Sequence, residues 1–169
     1  MILDKSKMLF ALIAVITLQL GVLVMEYGNA VYPLLTGKEI KLKVIPVDPR
    51  SLFRGNYARL NYNISRVYLS DSTRQFRRNE IVYVKLKQND DEIYEQDGAS
   101  ISKPDEGLFI RGRARIAGIG YVHVRYGIEA FFAPKEKALA LEDKLRKGGI
   151  AVVMLTKDGK SAIKDIIAE

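Results

Sequence analysis

The chain has no cysteine and no tryptophan, and it holds a single histidine. Without cysteine neither a disulfide framework nor a thiolate metal site can form, so stability has to come from packing. His123 alone cannot supply the several nitrogen or sulfur ligands that zinc sites draw on, and no metal site is expected. The sequence also lacks a glycine-rich phosphate loop, a nucleophile elbow and any internal repeat, and no cofactor is expected. Negative charge is in short supply: 20 Asp and Glu face 27 Lys and Arg, giving a net charge of +7 and a pI near 9.5. That balance favours acidic partners, whether anionic lipid, phosphorylated polymer or nucleic acid, without choosing among them.

What is present is 169 residues at 48% hydrophobic content, enough for one domain with a core once a membrane segment is set aside. That segment is Met8 to Met25, an apolar run broken by Thr17, Gln19 and Gly21 and bounded by Lys7 and Glu26. At ~1.5 Å per residue such a helix nearly crosses the ~30 Å hydrocarbon layer, with Tyr27 and Tyr32 beyond it at headgroup level. A cleaved signal peptide is the main alternative, since Gly28 and Ala30 are small, but the run exceeds a typical ~7–15-residue signal core. A buried soluble helix is the third reading. Lys5 and Lys7 precede the run and no Lys or Arg follows before Lys38, so the positive-inside rule puts the N-terminus in the cytoplasm and the rest outside the cell membrane. Nucleic acid is then not a natural target. Residues 1–37 read as cytoplasmic tail, transmembrane helix and juxtamembrane linker, and residues 38–169 as an extracytoplasmic domain.

From Lys38 the pattern becomes alternation. Ile40, Leu42 and Val44 oppose Lys41 and Lys43 in a half-buried strand, which Pro46 and Pro49 close. A second strand is predicted from near Ala58, with Leu60, Tyr62 and Ile64 against Arg59, Asn61 and Asn63. Between them, Arg50 to Tyr57 reads as a shaped loop, because Gly55-Asn56 tolerates positive φ. Tyr62 is expected to fill the core, and Asp48 to accept loop amides or pair with Arg50 or Arg54.

This segment resembles the GDYXXLXY proteins, named for a Gly-Asp-Tyr-x-x-Leu-x-Tyr signature that here reads Gly55-Asn56-Tyr57-Ala58-Arg59-Leu60-Asn61-Tyr62. Pro46-Val47-Asp48-Pro49-Arg50 is similar to the family's leading motif, and Tyr126 to Pro134 (Y-G-I-E-A-F-F-A-P) to its Y-G-I-E-x-Y-F-x-P stretch. The family consists of membrane-associated proteins of uncharacterised function, so the resemblance implies location and fold far more than activity. It also implies a multi-pass membrane protein as partner. Asp48, Pro49, Arg50, Arg54, Gly55, Asn56, Tyr57, Leu60 and Tyr62 form the signature set, with a structural or a binding role. Asn56 departs from the family's aspartate. It cannot act as a base, but it fixes a turn as well as aspartate does, which favours the structural role.

Farther on, Ser65 to Asn79 is polar and basic and reads as a loop or short helix. Glu80 to Lys87 and Ile93-Tyr94 are predicted to pair as strands across a turn at Gln88 to Asp91, and Gly98 to Gly107 to form a polar connection. In Leu108 to Ile116, Arg111, Arg113 and Arg115 share one face, and in Tyr121 to Tyr126 so do Tyr121, His123 and Arg125. Pairing these strands would gather the four arginines, a repulsive arrangement unless carboxylates such as Glu95 or Asp105, or bound anions, offset it. Arg111, Arg113, Arg115, His123 and Arg125 are therefore a candidate anion-binding face, since guanidinium holds phosphate or carboxylate bidentately. The plainer reading is a solvated sheet face. Glu136 to Lys147 is predicted as a short helix stopped by Gly148-Gly149, followed by strands at Ile150 to Leu155 and Ser161 to Ile166.

The expected fold is α+β and mainly β: an N-terminal transmembrane helix, then a mostly antiparallel sheet with one or two short covering helices. Three functional classes follow. The leading one is an extracytoplasmic accessory or interaction module acting with a membrane partner. A binder of anionic lipid or envelope polymer is second, and a Ser-Lys hydrolase using Ser51 or Ser65 is third.

Overall fold

A helix that is apolar on every side has no polar face to turn to water, and it must be surrounded by protein or by lipid. In the computed structural model, which describes residues 5–45, 57–68, 76–118, 120–132, 145 and 148–168, protein does not surround it. Helix α1 (Lys5–Thr36) has a window of mean hydropathy 2.6, none of it buried, and is long and apolar enough to cross a membrane. Its one hydroxyl in that run is satisfied internally, as Thr17 Oγ1 donates to the Ile13 carbonyl at 2.9 Å.

The helix does not stop where the apolar run does. Glu26 to Thr36 continue it for about 16 Å, in the place where the sequence suggested a linker. Its end is packed against the sheet, with Pro33 buried and Gly37 N donating to the Pro33 carbonyl at 2.9 Å. A Cβ on Gly37 would lie 2.5 Å from Pro33 O and 2.8 Å from Leu155 N, so only glycine permits this approach.

The alternating segments form strands β1 (Lys38–Ile45), β2 (Tyr57–Arg59), β3 (Asn61–Tyr62), β4 (Arg66–Tyr68), β5 (Ile81–Gln88), β6 (Ile93–Ser100), β7 (Leu108–Gly118), β8 (Tyr121–Arg125), β9 (Ala130–Phe132), β10 (Gly149–Leu155) and β11 (Ser161–Ala168). The main sheet runs β11-β10-β1-β6-β5-β7-β8-β4, with β3 also on β1, and β2 pairs separately with β9. Every pairing is antiparallel except β1 with β6. The fold is α+β and mainly β, as the alternation indicated.

The sheet curls on itself. Asn61 to Tyr68 is continuous, yet it begins beside β1 and ends beside β8, strands that β6, β5 and β7 separate in the sheet. Gln96 Nε2 of β6 reaches across to the Arg66 carbonyl at 3.0 Å. The inward residues of this partial barrel make the core: Leu42, Val82, Val84, Ile110 and Val122 are fully buried, and Tyr62 and Ile64 fill its open side.

Three local readings are corrected. The strand after the signature loop is not continuous: Leu60 breaks it, and Asn63–Ser65 form a 3-10 turn in which Ser65 Oγ accepts from Tyr62 N at 3.2 Å. Leu60, Tyr62 and Ile64 are nonetheless buried as the alternation required. Second, Arg66–Tyr68, read as loop or helix, is strand β4, because Val67 turns inward opposite Val122 while Arg66 stacks on the Tyr121 ring at 4.3 Å. Third, β6 extends to Ser100 through a register shift rather than ending near Tyr94. The predicted helix at 136–147 lies outside the described residues apart from Leu145, which is buried.

Candidate anion-binding cleft

The two stretches that carry the family resemblance interlock. Tyr62 Oη donates to the Ile128 carbonyl at 2.6 Å, and Tyr126 Oη donates to the Ile64 carbonyl at 2.6 Å. Leu60 N donates to Glu129 O at 2.9 Å, and β2 zips onto β9 from Tyr57 opposite Phe132 to Arg59 opposite Ala130. Burial raises the pKa of both phenols, that of Tyr126 well above its ordinary value, with the Glu129 carboxylate adding to it. Both hydroxyls are therefore fixed as donors. Of the signature set, Leu60 and Tyr62 are core residues and Tyr57 opens β2, whereas Asp48, Pro49, Arg50, Arg54, Gly55 and Asn56 lie outside the described residues.

Glu129 holds the junction together. Its carboxylate accepts from Tyr126 N at 2.6 Å and Gly127 N at 3.0 Å and lies 3.5 Å from Arg125 Nε. The sequence offered Glu95 or Asp105 as partners for the arginines. Glu95 instead accepts from Asn89 Nδ2 at 3.2 Å, and the partner found is Glu129, which the Y-G-I-E spacing places one tight turn after β8.

Strands β7 and β8 bring the arginines together as the alternation predicted. Arg111, Arg113, Arg115 and Arg125 line one cleft of about 400 Å³, with Asn79, Ile81, Gly112, Tyr126 and Gly127 also on its wall. Arg113 stands directly opposite Arg125 in the ladder, and the register then shifts between Ala114 and Ile116, so that Arg115 sits at a bulge. Two cationic side chains at facing positions repel each other. Part of the charge is met: Arg125 has Glu129, and Arg113 Nη1 donates to the carbonyl of Asn79 at 3.1 Å. Asn79 takes φ 67°, which asparagine tolerates, and this loop residue was not singled out in the sequence. Among the described residues, no carboxylate forms an ion pair with Arg113 or Arg115.

Gly112 lets the strands close at this point, since a Cβ there would lie 2.3 Å from Val124 Cγ1 and 2.8 Å from Arg125 O. Arg111 is tied to a different part of the chain: its N–H donates to Gly159 O at 2.8 Å at the tip of the β10–β11 turn. There Asp158 accepts from the Thr156 hydroxyl, which lowers its carboxyl pKa, with smaller contributions from Lys160 and Arg111.

His123 belongs to a second cleft of about 670 Å³ that shares Arg115 and Arg125 with the first. Arg59, Asn61, Ser65 and Glu129 also line it. Ser65, one of the serines considered as a nucleophile, is buried with its Oγ engaged by Tyr62 N, and no lysine among the described residues lines this cleft. Ser51 lies outside the described residues. No group of three metal-ligating side chains occurs among the described residues.

Comparison with curated proteins and with solved structures finds no match. A family model described as GDYXXLXY protein does match, over residues 19–166, from within the apolar helix to the last strand. The interlocked tyrosines and the arginine cleft both fall inside that span, and the chain belongs to the GDYXXLXY protein family.

Proposed function

We propose that the protein is a membrane-anchored domain that binds an anionic group, phosphate or carboxylate, in the cleft between β7 and β8. The observation that carries this reading is the four arginines lining one concave surface, two of them at directly facing ladder positions. A solvated strand face would spread such charge or intersperse carboxylates. Here the backbone is built to hold the arginines close, with glycine at position 112 and a bulge at Arg115.

The location of the cleft supports a ligand at the membrane surface. Gly37, at the end of α1, abuts Leu155, and the tight turn that follows Leu155 delivers Gly159 O to Arg111 N. One end of the arginine row is therefore a single turn of chain from the point where the helix meets the sheet. With Lys5 and Lys7 on the cytoplasmic side, the domain lies outside the cell membrane, among lipid headgroups and envelope polymers. The interaction module implied by the family resemblance uses the same anchoring. A protein partner would present its own carboxylates or phosphates to this surface.

Calorimetric titration of the full chain in detergent micelles with pyrophosphate tests the reading. Saturable binding that Arg113→Glu and Arg115→Glu each abolish is expected. Equal heats from the native chain and both variants would overturn it, with the circular dichroism of the variants checked to confirm that they fold.

A further inference from the structure

We infer that the ligand carries hydroxyl groups beside its anion, as a sugar phosphate or polyol phosphate does. This rests on the anion-binding reading and extends it to the second cleft. The two clefts meet at Arg115 and Arg125, so a phosphate held by those guanidiniums has the larger hollow immediately beside it. That hollow differs from the first in what stands beside its guanidiniums: Arg59 also lines it, but so does a carboxylate, Glu129. Asn61 and His123 bring side chains that donate to and accept from hydroxyl groups, and its floor includes Leu60 and Val124, buried aliphatic residues that suit the C–H face of a sugar or polyol.

The one carboxylate on this wall among the described residues sharpens the choice. Glu129 is fixed by two backbone amides and by Arg125, so it stays in place as an acceptor for a hydroxyl, while Arg59 on the same wall can donate to one. A ligand with phosphate at one end and neutral hydroxyls at the other matches both hollows. The same chemistry occurs in a lipid headgroup such as glycerol phosphate and in a phosphate-linked envelope polymer.

The test is titration of the full chain in micelles with inorganic phosphate and with glycerol phosphate. Two or more new hydrogen bonds should make glycerol phosphate bind about tenfold tighter than phosphate. Ala130→Tyr, on the exposed rim of the second hollow, should fill it and erase that preference while leaving phosphate binding intact. Equal affinity of the native chain for the two ligands would overturn this inference and leave the arginine cleft standing, whereas failure of both to bind would remove the cleft itself. An Ala130→Tyr chain that keeps the preference would also overturn the inference. Competition identifies the source: displacement of glycerol phosphate by phosphatidylglycerol nanodiscs assigns the site to lipid, and displacement by poly(glycerol phosphate) alone assigns it to polymer.

Discussion

Tyr62 and Tyr126 exchange hydroxyl bonds across the open side of the barrel, each donating at 2.6 Å to a carbonyl two residues beyond the other tyrosine. The two stretches that carry the family resemblance are thereby one structural unit. Removing either hydroxyl leaves a buried carbonyl without its donor. Tyr62→Phe and Tyr126→Phe should each lower domain stability by about 1–3 kcal/mol. Denaturant unfolding followed by circular dichroism measures this, and a cost below the error of the method would show that the phenols act only as packing.

The same burial sets an alkaline limit. Both phenols have raised pKa values in the folded chain, while in the unfolded chain they ionise near the ordinary tyrosine value of about 10. Above that pH the unfolded state binds fewer protons than the folded state, so the stability these groups supply is intact at lower pH and is lost as pH rises. The expected loss is up to about 1.4 kcal/mol per pH unit for each phenol. Unfolding midpoints taken between about pH 9 and pH 12 should fall steeply in the native chain and less steeply in the two phenylalanine variants.

Position 37 governs how the helix is mounted. Gly37→Ala places a methyl group 2.5 Å from Pro33 O and 2.8 Å from Leu155 N, both of them backbone atoms that cannot rotate away. The helix end must lift off the sheet or the last helical turn must open, at a cost of about 1–3 kcal/mol. Hydrogen exchange should quicken at the Gly37 amide and at the start of β1 while β5 and β7 keep their protection. Unchanged exchange at Gly37 would contradict the tight mounting.

Arg113 facing Arg125 makes stability depend on salt. At low ionic strength the repulsion between them is strongest, and added salt should stabilise the native chain. In Arg113→Gln the salt-dependent increment should shrink by about 0.2–1 kcal/mol. Thermal melts across a chloride series measure it, and a parallel series in phosphate should show a larger effect in the native chain alone.

Much of this was readable from residue pattern, and the reasons are physical. Period-two alternation marks a strand buried on one face, so Ile40, Leu42 and Val44 of β1 are buried as it requires, and Arg113 and Arg125 share a face at paired positions of β7 and β8. The hydropathy of Met8 to Met25 likewise needs no tertiary information. What escaped detection depends on long-range partners. Strand β4 has three residues and is held by pairing with β8, so local sequence carries little trace of it. The reach of Tyr62 to Ile128 and of Tyr126 to Ile64 spans more than sixty residues of chain, and no spacing rule encodes it. Glu129 is intermediate: its offset from Tyr126 suggests a turn, but its link to Arg125 needed the geometry.

The unbroken helix through Thr36 makes the junction a shaft rather than a tether. A flexible linker lets a domain tumble while its anchor stays still, and here the buried Pro33 and the close fit of Gly37 deny that freedom. Whatever turns or tilts α1 therefore turns or tilts the arginine cleft with it. Torque applied to the apolar helix is delivered at the surface where the proposed anion would bind.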